Sequence, residues 1–379
     1  MYKPLQDSHR YKQLDSLRGF AALTVFTGHV IGAIISQPVL TKIESTPISA
    51  LFNGYAAVMF FFVLSGFVLS LPFVNNEKPL SIAAFYTKRF FRIYPAFLTA
   101  MILSVALKEW VYNEHTMANS LLWFKQYWAW HWDEVSLKDT IRALLLVDPG
   151  FNGRLIDPPV WSLVVEVKMS IILPFFILIV SRCRAVVNIC LFLLISYLAY
   201  RHTGLQISVF FLGVVLAKYQ HQLKNTIKAL TTPVLVVVML FSLLLYNSGL
   251  EFLSLHLKPL YVIFSNYLPA IGSCMIIIML LTSKRLSSFF ERKVFAFFGA
   301  ISYSFYLMHF PILIATFSIM ADYGTQIAAG AAFIITVLIS YLITIFIERP
   351  FQRLASRLVK KHGVFNTCNI KATGRLKAV

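Results

Sequence analysis

The chain has 379 residues, of which 58% are hydrophobic and only 13% are charged, and its mean hydropathy is +0.72. An ordinary soluble domain is about a quarter charged, and one core of this size cannot bury so much apolar surface. A soluble globular fold is therefore excluded. The formal net charge of +18 leaves nucleic-acid and membrane partners open until the distribution of the charges is considered.

Apolar runs of about twenty residues, long enough to cross a bilayer as a helix, recur along the whole chain. The first contains Asp15, Arg18 and His29 and lacks a small-residue cleavage site, so it is predicted to be a membrane helix rather than a signal peptide. The predicted fold class is an all-α polytopic integral membrane protein with about ten transmembrane helices. The predicted spans are 15–36, 50–72, 94–111, 159–181, 185–201, 204–219, 232–250, 258–282, 295–320 and 323–347.

The positive charges predict the orientation of these spans. With the N-terminus inside, 25 of the 34 Lys and Arg residues fall in or beside cytoplasmic segments, as the positive-inside rule requires. Both termini are therefore predicted to be cytoplasmic. Residues 1–350 would form the transmembrane domain, and residues 351–379 a basic tail in contact with anionic lipid. The short, scattered basic loops predict no nucleic-acid partner.

One predicted outer segment, residues 112–158, is rich in aromatic side chains. They are typical either of an interfacial belt on a surface helix or of a platform for sugar rings, and the belt is the commoner use. The residues are Trp123, Tyr127, Trp128, Trp130 and Trp132.

The cysteines do not indicate a metal site or a disulfide framework. Cys183 and Cys190 are seven residues apart, and Cys274 and Cys368 stand alone, so metal-ligand spacing is missing. No metal is predicted.

Arg18 and His29 are charged or titratable residues within the first predicted span. His29 follows Arg18 by eleven positions, which places both on one helix face about 16 Å apart along the axis. Ionisable groups inside a bilayer are costly and are usually functional. We therefore interpret His29 as a candidate base and Arg18 as a cation nearer the cytoplasm, while a buried histidine satisfied by a neighbour remains the structural alternative.

Glu166 is predicted to lie about 10 Å below the outer surface, at a depth similar to that of His29. A carboxylate at this position could orient the imidazole and stabilise its protonated form. The alternative is a structural pairing of Glu166 with Lys168 or with a backbone donor.

Three further groups of residues carry polar chemistry. Arg89 and Arg92 stand at i, i+3, which places them on one face if the segment is helical, and guanidinium pairs suit phosphates. A cytoplasmic anchor is the other interpretation. Ser302-Tyr303 and His309 lie in the ninth span, and this second intramembrane histidine favours a polar cavity in the outer half.

Six motifs in this order resemble acyltransferase family 3, the bacterial membrane O-acyltransferases. They extend from the first span almost to the last. The motifs are Leu14-Asp15-Ser16-Leu17-Arg18-Gly19 with His29, residues 61–67 (FFVLSGF), residues 89–95 (RFFRIYP), Trp161-Ser162-Leu163 with Glu166, residues 301–309 (ISYSFYLMH) and Glu348-Arg349-Pro350.

The resemblance implies transfer of an acyl group, usually acetyl, from cytoplasmic acetyl-CoA to a hydroxyl of a carbohydrate or glycolipid acceptor at the bacterial inner membrane. It implies that His29 is catalytic with Arg18 and Glu166, and that Arg89 and Arg92 bind the coenzyme phosphates. Acetyl-CoA would be a co-substrate, with no bound cofactor. Supporting or acceptor-binding roles are expected for Trp161, Ser162, Tyr303 and His309.

The chain departs from the family pattern after Glu166. Many members continue Glu-Gln-Phe-Tyr where this chain has Val167-Lys168-Met169-Ser170, which puts the role of Glu166 in doubt. Many also carry a C-terminal extracytoplasmic hydrolase-like domain, whereas this sequence ends in a short basic tail. The resemblance therefore leads us to expect the stand-alone form. Two rival functions remain: a glycolipid transporter or flippase, and a haem protein with His29 and His309 as axial ligands.

Overall fold

The computed structural model describes residues 11–35, 37–44, 46–74, 80–112, 137–146, 156–202, 204–247 and 258–361, together with Trp128 and residues 369–370. These residues are almost entirely helical. The helices are α1 (Lys12–Ile34), α2 (Gln37–Glu44), α3 (Gly54–Val74), α4 (Ile82–Trp110), α5 (Leu137–Leu145), α6 (Val160–Arg182), α7 (Ala185–His202), α8 (Gln206–Lys228), α9 (Thr232–Tyr246), α10 (Lys258–Thr282), α11 (Lys284–Phe290), α12 (Lys293–Ile319), α13 (Thr325–Ile343) and α14 (Arg349–Lys361).

Shorter elements complete the described structure. Single 3-10 turns occupy Pro47–Leu51 and Ala321–Tyr323, and a π-helical turn at Thr344–Glu348 joins α13 to α14. Strand β1 (Leu80–Ser81) pairs antiparallel with β2 (Asn369–Ile370), which returns the C-terminal region to the start of α4.

The described helices include seven that are long and apolar enough to cross a membrane. Two shorter apolar helices, Ala185–Arg201 and Thr232–Tyr246, match further predicted spans. Helix α8 matches the predicted span 204–219 and continues with a polar second half to Lys228. Each predicted span thus coincides with a helix, and the chain is an all-α membrane protein.

Helix α4 begins twelve residues before the predicted span at position 94, because the prediction followed apolarity alone. The Ser81 hydroxyl accepts a hydrogen bond from the backbone N–H of Ala84 at 3.5 Å and caps the helix. Arg89 and Arg92 therefore lie on a helix rather than in a loop, and their i, i+3 spacing does place them on one face.

Helices α1 and α12 cross at a pair of glycines. A Cβ at Gly19 would stand 2.5 Å from the backbone nitrogen of Gly299, and a Cβ at Gly299 would stand 2.4 Å from the carbonyl oxygen of Asp15. Only residues without side chains allow two backbones to approach this closely. The crossing brings the polar residues of α1 beside those at 302–309 of α12.

Two buried clusters surround this crossing. The larger includes Phe67 of α3 and Phe210 of α8, two helices that pack closely along their length. The smaller lies between α1, α12 and α13 and includes Phe26, Phe305 and Phe310. Helix α14 packs against α4 beyond the predicted domain boundary at residue 350, so the start of the predicted tail belongs to the folded body.

Candidate functional site

A cavity of about 630 Å³ lies between α1, α3, α4, α6, α12 and α14. Its volume falls within the usual range for small-molecule sites, which is about 300–1,000 Å³. One end is lined by the exposed side chain of Lys88 and by Gln352 and Ser356 of α14, near the helix ends predicted to be cytoplasmic. Ser162 and Tyr306, which are buried, also line the cavity and define what is called here its deep end.

Cations dominate the charged lining of this cavity. Arg18, Lys88, Arg89 and Arg92 all line it, and Glu166 is the single carboxylate among the described residues of the lining. Arg18 also donates to Asp15 of the same helix at 3.1 Å and interacts electrostatically with Arg89, Arg92 and Glu166. The cavity is therefore suited to an anionic ligand.

Glu166 is paired with Arg89 and does not contact His29. Its Oε1 accepts from Nη2 of Arg89 at 2.6 Å, and Nε of Arg89 donates to the Ser170 hydroxyl at 3.0 Å. The expected contact between Glu166 and His29 is therefore wrong. Glu166 lies beside Arg89 and interacts with Arg18, two residues predicted to lie towards the cytoplasm, so its predicted depth in the outer half is wrong as well.

Arg92 is paired with a carboxylate to which the sequence analysis assigned no role. Its Nη1 donates to Glu348 at 2.5 Å, and the buried Glu348 also accepts from the hydroxyl of Ser304. Glu348 closes the π-helical turn, a local distortion frequent at functional sites. The Arg92 guanidinium also lies over the Tyr303 ring, 5.2 Å from its centroid, and the Tyr303 hydroxyl donates to the carbonyl of Ile93.

The two histidines predicted in the outer half of the membrane meet each other. The ring centroids of His29 and His309 are 5.3 Å apart, and the ring planes are inclined by 28°. Rings stacked in this way cannot ligate one iron from opposite faces of a haem, which argues against that alternative. Nδ1 of His309 lies 2.7 Å from the carbonyl oxygen of Tyr306. Because a carbonyl only accepts, Nδ1 carries the proton, and Nε2 has no partner among the described residues.

Tyr306 separates the cavity from the histidine pair. Its hydroxyl lies 2.8 Å from that of Ser162 at the deep end of the cavity, and its ring centroid is 5.7 Å from that of His309. Neither histidine lines the cavity itself. Tyr306 occurs inside the motif at 301–309, but nothing in its spacing distinguishes it from a core aromatic residue.

The other predicted supporting residues divide between the cavity wall and the core. Ser162 and Tyr303 line the cavity. Trp161 does not, and it makes an edge contact with Phe62 at 6.3 Å between ring centroids.

Trp128 is the one of the five aromatic residues named in the predicted outer segment that the structure describes. It is 1% exposed, packs in the smaller core cluster, and donates from Nε1 to the carbonyl of Ile156 at 3.0 Å. For Trp128 both the belt and the sugar platform are thus wrong. Trp123, Tyr127, Trp130 and Trp132 lie outside the described residues.

Asp157, directly before α6, was missed by the sequence analysis. Its side chain is fully buried, and neither carboxylate oxygen has a hydrogen-bond partner in the part of the chain that the structure describes. This burial raises the pKa of Asp157 well above its ordinary value. In the sequence, Asp157 is followed by two prolines. This pattern is equally typical of an ordinary turn, so it did not indicate a functional residue.

Comparisons with known proteins agree with the motifs. The sequence model of a family described as an acyltransferase domain matches residues 11–345. The chain is 24% identical over 404 aligned residues to a protein of Bacillus subtilis (strain 168) named "Putative peptidoglycan O-acetyltransferase YrhL". That alignment covers 93% of this chain and 56% of the relative, so the chain spans little more than half of the relative's length. No solved structure matches the chain.

Proposed function

This chain belongs to acyltransferase family 3, and on that premise we propose that it moves an acyl group from cytoplasmic acyl-CoA to a hydroxyl of a carbohydrate acceptor. Acetyl is the favoured acyl group because the family commonly uses it. The carrying observation is the cation-lined cavity, which opens at one end beside Lys88 and ends one aromatic ring away from the stacked histidines.

Coenzyme binding is supported by the charges of the cavity. The phosphates of acyl-CoA are strong hydrogen-bond acceptors, and guanidinium groups bind them in a bidentate manner. Arg89 and Arg92 are each held in place by a carboxylate, Glu166 and Glu348, so their side chains need little reordering when a phosphate arrives. The apolar walls formed by Phe61, Phe62 and neighbouring residues suit the thin pantetheine arm.

In the proposed transfer step, His29 is the general base. Its imidazole takes the proton of the acceptor hydroxyl while the oxygen attacks the thioester carbonyl, which forms a C–O bond. The tetrahedral intermediate then collapses with cleavage of the C–S bond, and the proton passes from His29 to the departing thiolate. The hydroxyls of Ser162 and Tyr306 line the cavity and are bonded to each other and to the carbonyl of Pro159, so in this proposal one of them exchanges its present acceptor for the oxyanion.

His309 takes over the supporting role that was expected of Glu166. Its own Nδ1–H is engaged by the carbonyl of Tyr306, which holds the ring in place, and its full burial without a partner for Nε2 among the described residues favours the neutral imidazole. A neutral ring stacked on His29 stabilises the imidazolium that forms during the reaction through its π electrons. Arg18, which lines the cavity, belongs in this assignment to the coenzyme rather than to the base.

A surface or cell-wall glycan, or its lipid-linked precursor, is the proposed acceptor. The Bacillus subtilis relative is named for peptidoglycan, which makes peptidoglycan sugars the first acceptors to test. The proposal also includes ten membrane spans with both termini in the cytoplasm of the bacterial inner membrane, because the positive charges of the chain are concentrated on that side. Cysteine labelling at Ser287 and at Asp322 tests this orientation, since only Asp322 should react with an impermeant reagent in intact cells.

The function is tested by measuring the O-acetyl content of the host's glycans. A deletion strain is complemented with wild type or with His29→Ala, at matched amounts of protein in the membrane. Loss of O-acetyl groups in the deletion strain, restored by the wild type alone, is the expected result. Full restoration by His29→Ala would contradict the assignment of the base, and purified protein that moved a glycolipid without consuming acyl-CoA would favour the transporter.

Double reciprocal kinetics of the purified enzyme separate the proposed direct transfer from an acyl-histidine relay. Intersecting lines are expected of direct transfer, whereas parallel lines would indicate the relay.

A further inference from the structure

Asp157 is a fully buried acidic residue that the mechanism above does not use. Both of its carboxylate oxygens lack a hydrogen-bond partner within the described part of the chain. Buried polar groups are almost always hydrogen-bonded, and an exception in a native protein requires an explanation. Burial keeps the group protonated over a wider pH range, since it raises the pKa of the carboxyl, but this does not supply a partner.

The ordinary structural explanation, a helix cap, fails at this position. An aspartate before a helix usually accepts hydrogen bonds from backbone N–H groups of the first turn. Here Pro158 and Pro159 have no N–H, and the N–H of Val160 is bonded to the backbone carbonyl of Asp157 at 3.0 Å. The side chain therefore has no local donor, and its burial costs stability without a compensating contact.

The surroundings of Asp157 place it next to the proposed reaction site. The preceding carbonyl, of Ile156, is held by the indole of Trp128, which fixes this part of the chain. Asp157 interacts electrostatically with Tyr306, whose hydroxyl lies 3.5 Å from the carbonyl of Pro159. Asp157 is not among the residues that line the cation-rich cavity, so it lies outside the space assigned to the coenzyme.

We propose that Asp157 is an acceptor-binding residue that hydrogen-bonds a hydroxyl of the carbohydrate beside Tyr306 and so positions the acceptor for His29. A carboxyl group can both donate to and accept from a sugar hydroxyl, and an unpaired group of this kind gains its missing partner when the acceptor binds. The substrate class is therefore a polyol whose bound portion carries no negative charge. The inference rests on the proposed acyl transfer.

The test uses the full chain in lipid nanodiscs, with acetyl-CoA and a soluble disaccharide fragment of peptidoglycan, followed by polysaccharide and lipid-linked acceptors. Asp157→Ala and Asp157→Asn are compared with Thr336→Val, which removes another buried hydroxyl that lacks a partner among the described residues. For each variant the acceptor KM, the acetyl-CoA KM and the apparent Tm are measured.

Asp157→Ala is expected to raise the acceptor KM about tenfold, the equivalent of one lost hydrogen bond, with the acetyl-CoA KM unchanged within about twofold. Asp157→Asn should raise it less, because an amide still binds a hydroxyl. The Tm of both variants should equal or exceed that of the wild type, whereas a purely structural residue would lower it. Thr336→Val should leave both KM values unchanged.

An unchanged acceptor KM in an active enzyme, or a fall in Tm in both Asp157 variants, would overturn this inference alone. A wild type that transfers no acyl group to any of the acceptors would overturn the proposed function and the inference with it.

Discussion

The imidazole of His29 on α1 stacks on that of His309 on α12, with 5.3 Å between the ring centroids. The two residues are 280 positions apart in the sequence, and the glycine crossing of their helices brings them together. His309 is fully buried, which disfavours its charged form, and its Nδ1–H is engaged by a backbone carbonyl, which holds the ring beside His29. The pair therefore gives the proposed base a partner that carries no charge.

Replacing His309 distinguishes a stacking role from a chemical one. His309→Phe keeps an aromatic face against His29 and should lower kcat less than about threefold, whereas His309→Ala should lower it about tenfold. The measurement is the steady-state rate of CoA release with a saturating acceptor. If His309→Phe were as inactive as His29→Ala, a ring nitrogen of His309 would take part in the chemistry, and the stacking role would be wrong.

The ion pair of Arg89 with Glu166 predicts that substitutions in the pair affect protein stability and acyl-CoA binding differently. Arg89→Ala should raise the acyl-CoA KM about tenfold and lower Tm, because it leaves a largely buried carboxylate unpaired. The double variant Arg89→Ala with Glu166→Ala should recover much of the Tm and none of the affinity. Recovery of the acyl-CoA KM in the double variant would mean that Arg89 does not contact the coenzyme.

The crossing of α1 and α12 predicts that Gly299 cannot accept a side chain. In Gly299→Ala the new Cβ would overlap the carbonyl oxygen of Asp15, so the helices must separate, at a cost of about 1–3 kcal/mol or more. Lower Tm and a loss of transfer activity are expected in detergent-solubilised protein. Gly330→Ala is the matched control, since nothing lies within 4 Å of its added Cβ. Equal effects of the two substitutions would refute the close crossing.

Asp157 predicts how stability depends on pH. Burial raises its pKa well above the ordinary value of about 3.9, so the folded protein keeps a proton that the unfolded chain releases above about pH 4. Stability therefore falls as pH rises from there to the folded-state pKa. Among the described residues, Tyr306 is a titratable group close to Asp157, and as a phenol it carries no charge in the pH range of this prediction.

The amide in Asp157→Asn does not titrate in this range. The Tm of this variant minus that of the wild type should therefore increase between pH 5 and pH 8 in a thermal-shift assay. The difference between the two proteins cancels the pH dependence of all other groups. A constant difference across this range would show that Asp157 titrates normally in the folded protein.

The sequence by itself determined the membrane-spanning helical fold and the family. Both follow from local information, since a long apolar run must form a helix to satisfy its backbone inside a bilayer, and each motif is a short contiguous string. Charged residues shortened the predicted spans at α4, where Lys88, Arg89 and Arg92 interrupt apolarity but not the helix, and at the polar second half of α8.

Only the tertiary structure decided which polar residues meet. Counting residues from a predicted helix end did not give the correct depth for Glu166, and it says nothing about the rotation of each helix or the neighbour that it faces. Glu166 therefore pairs with Arg89, Glu348 with Arg92, and His29 stacks on His309. The burial of Asp157 was equally invisible, because it depends on how separate segments pack around it, and that packing is a property of the whole fold.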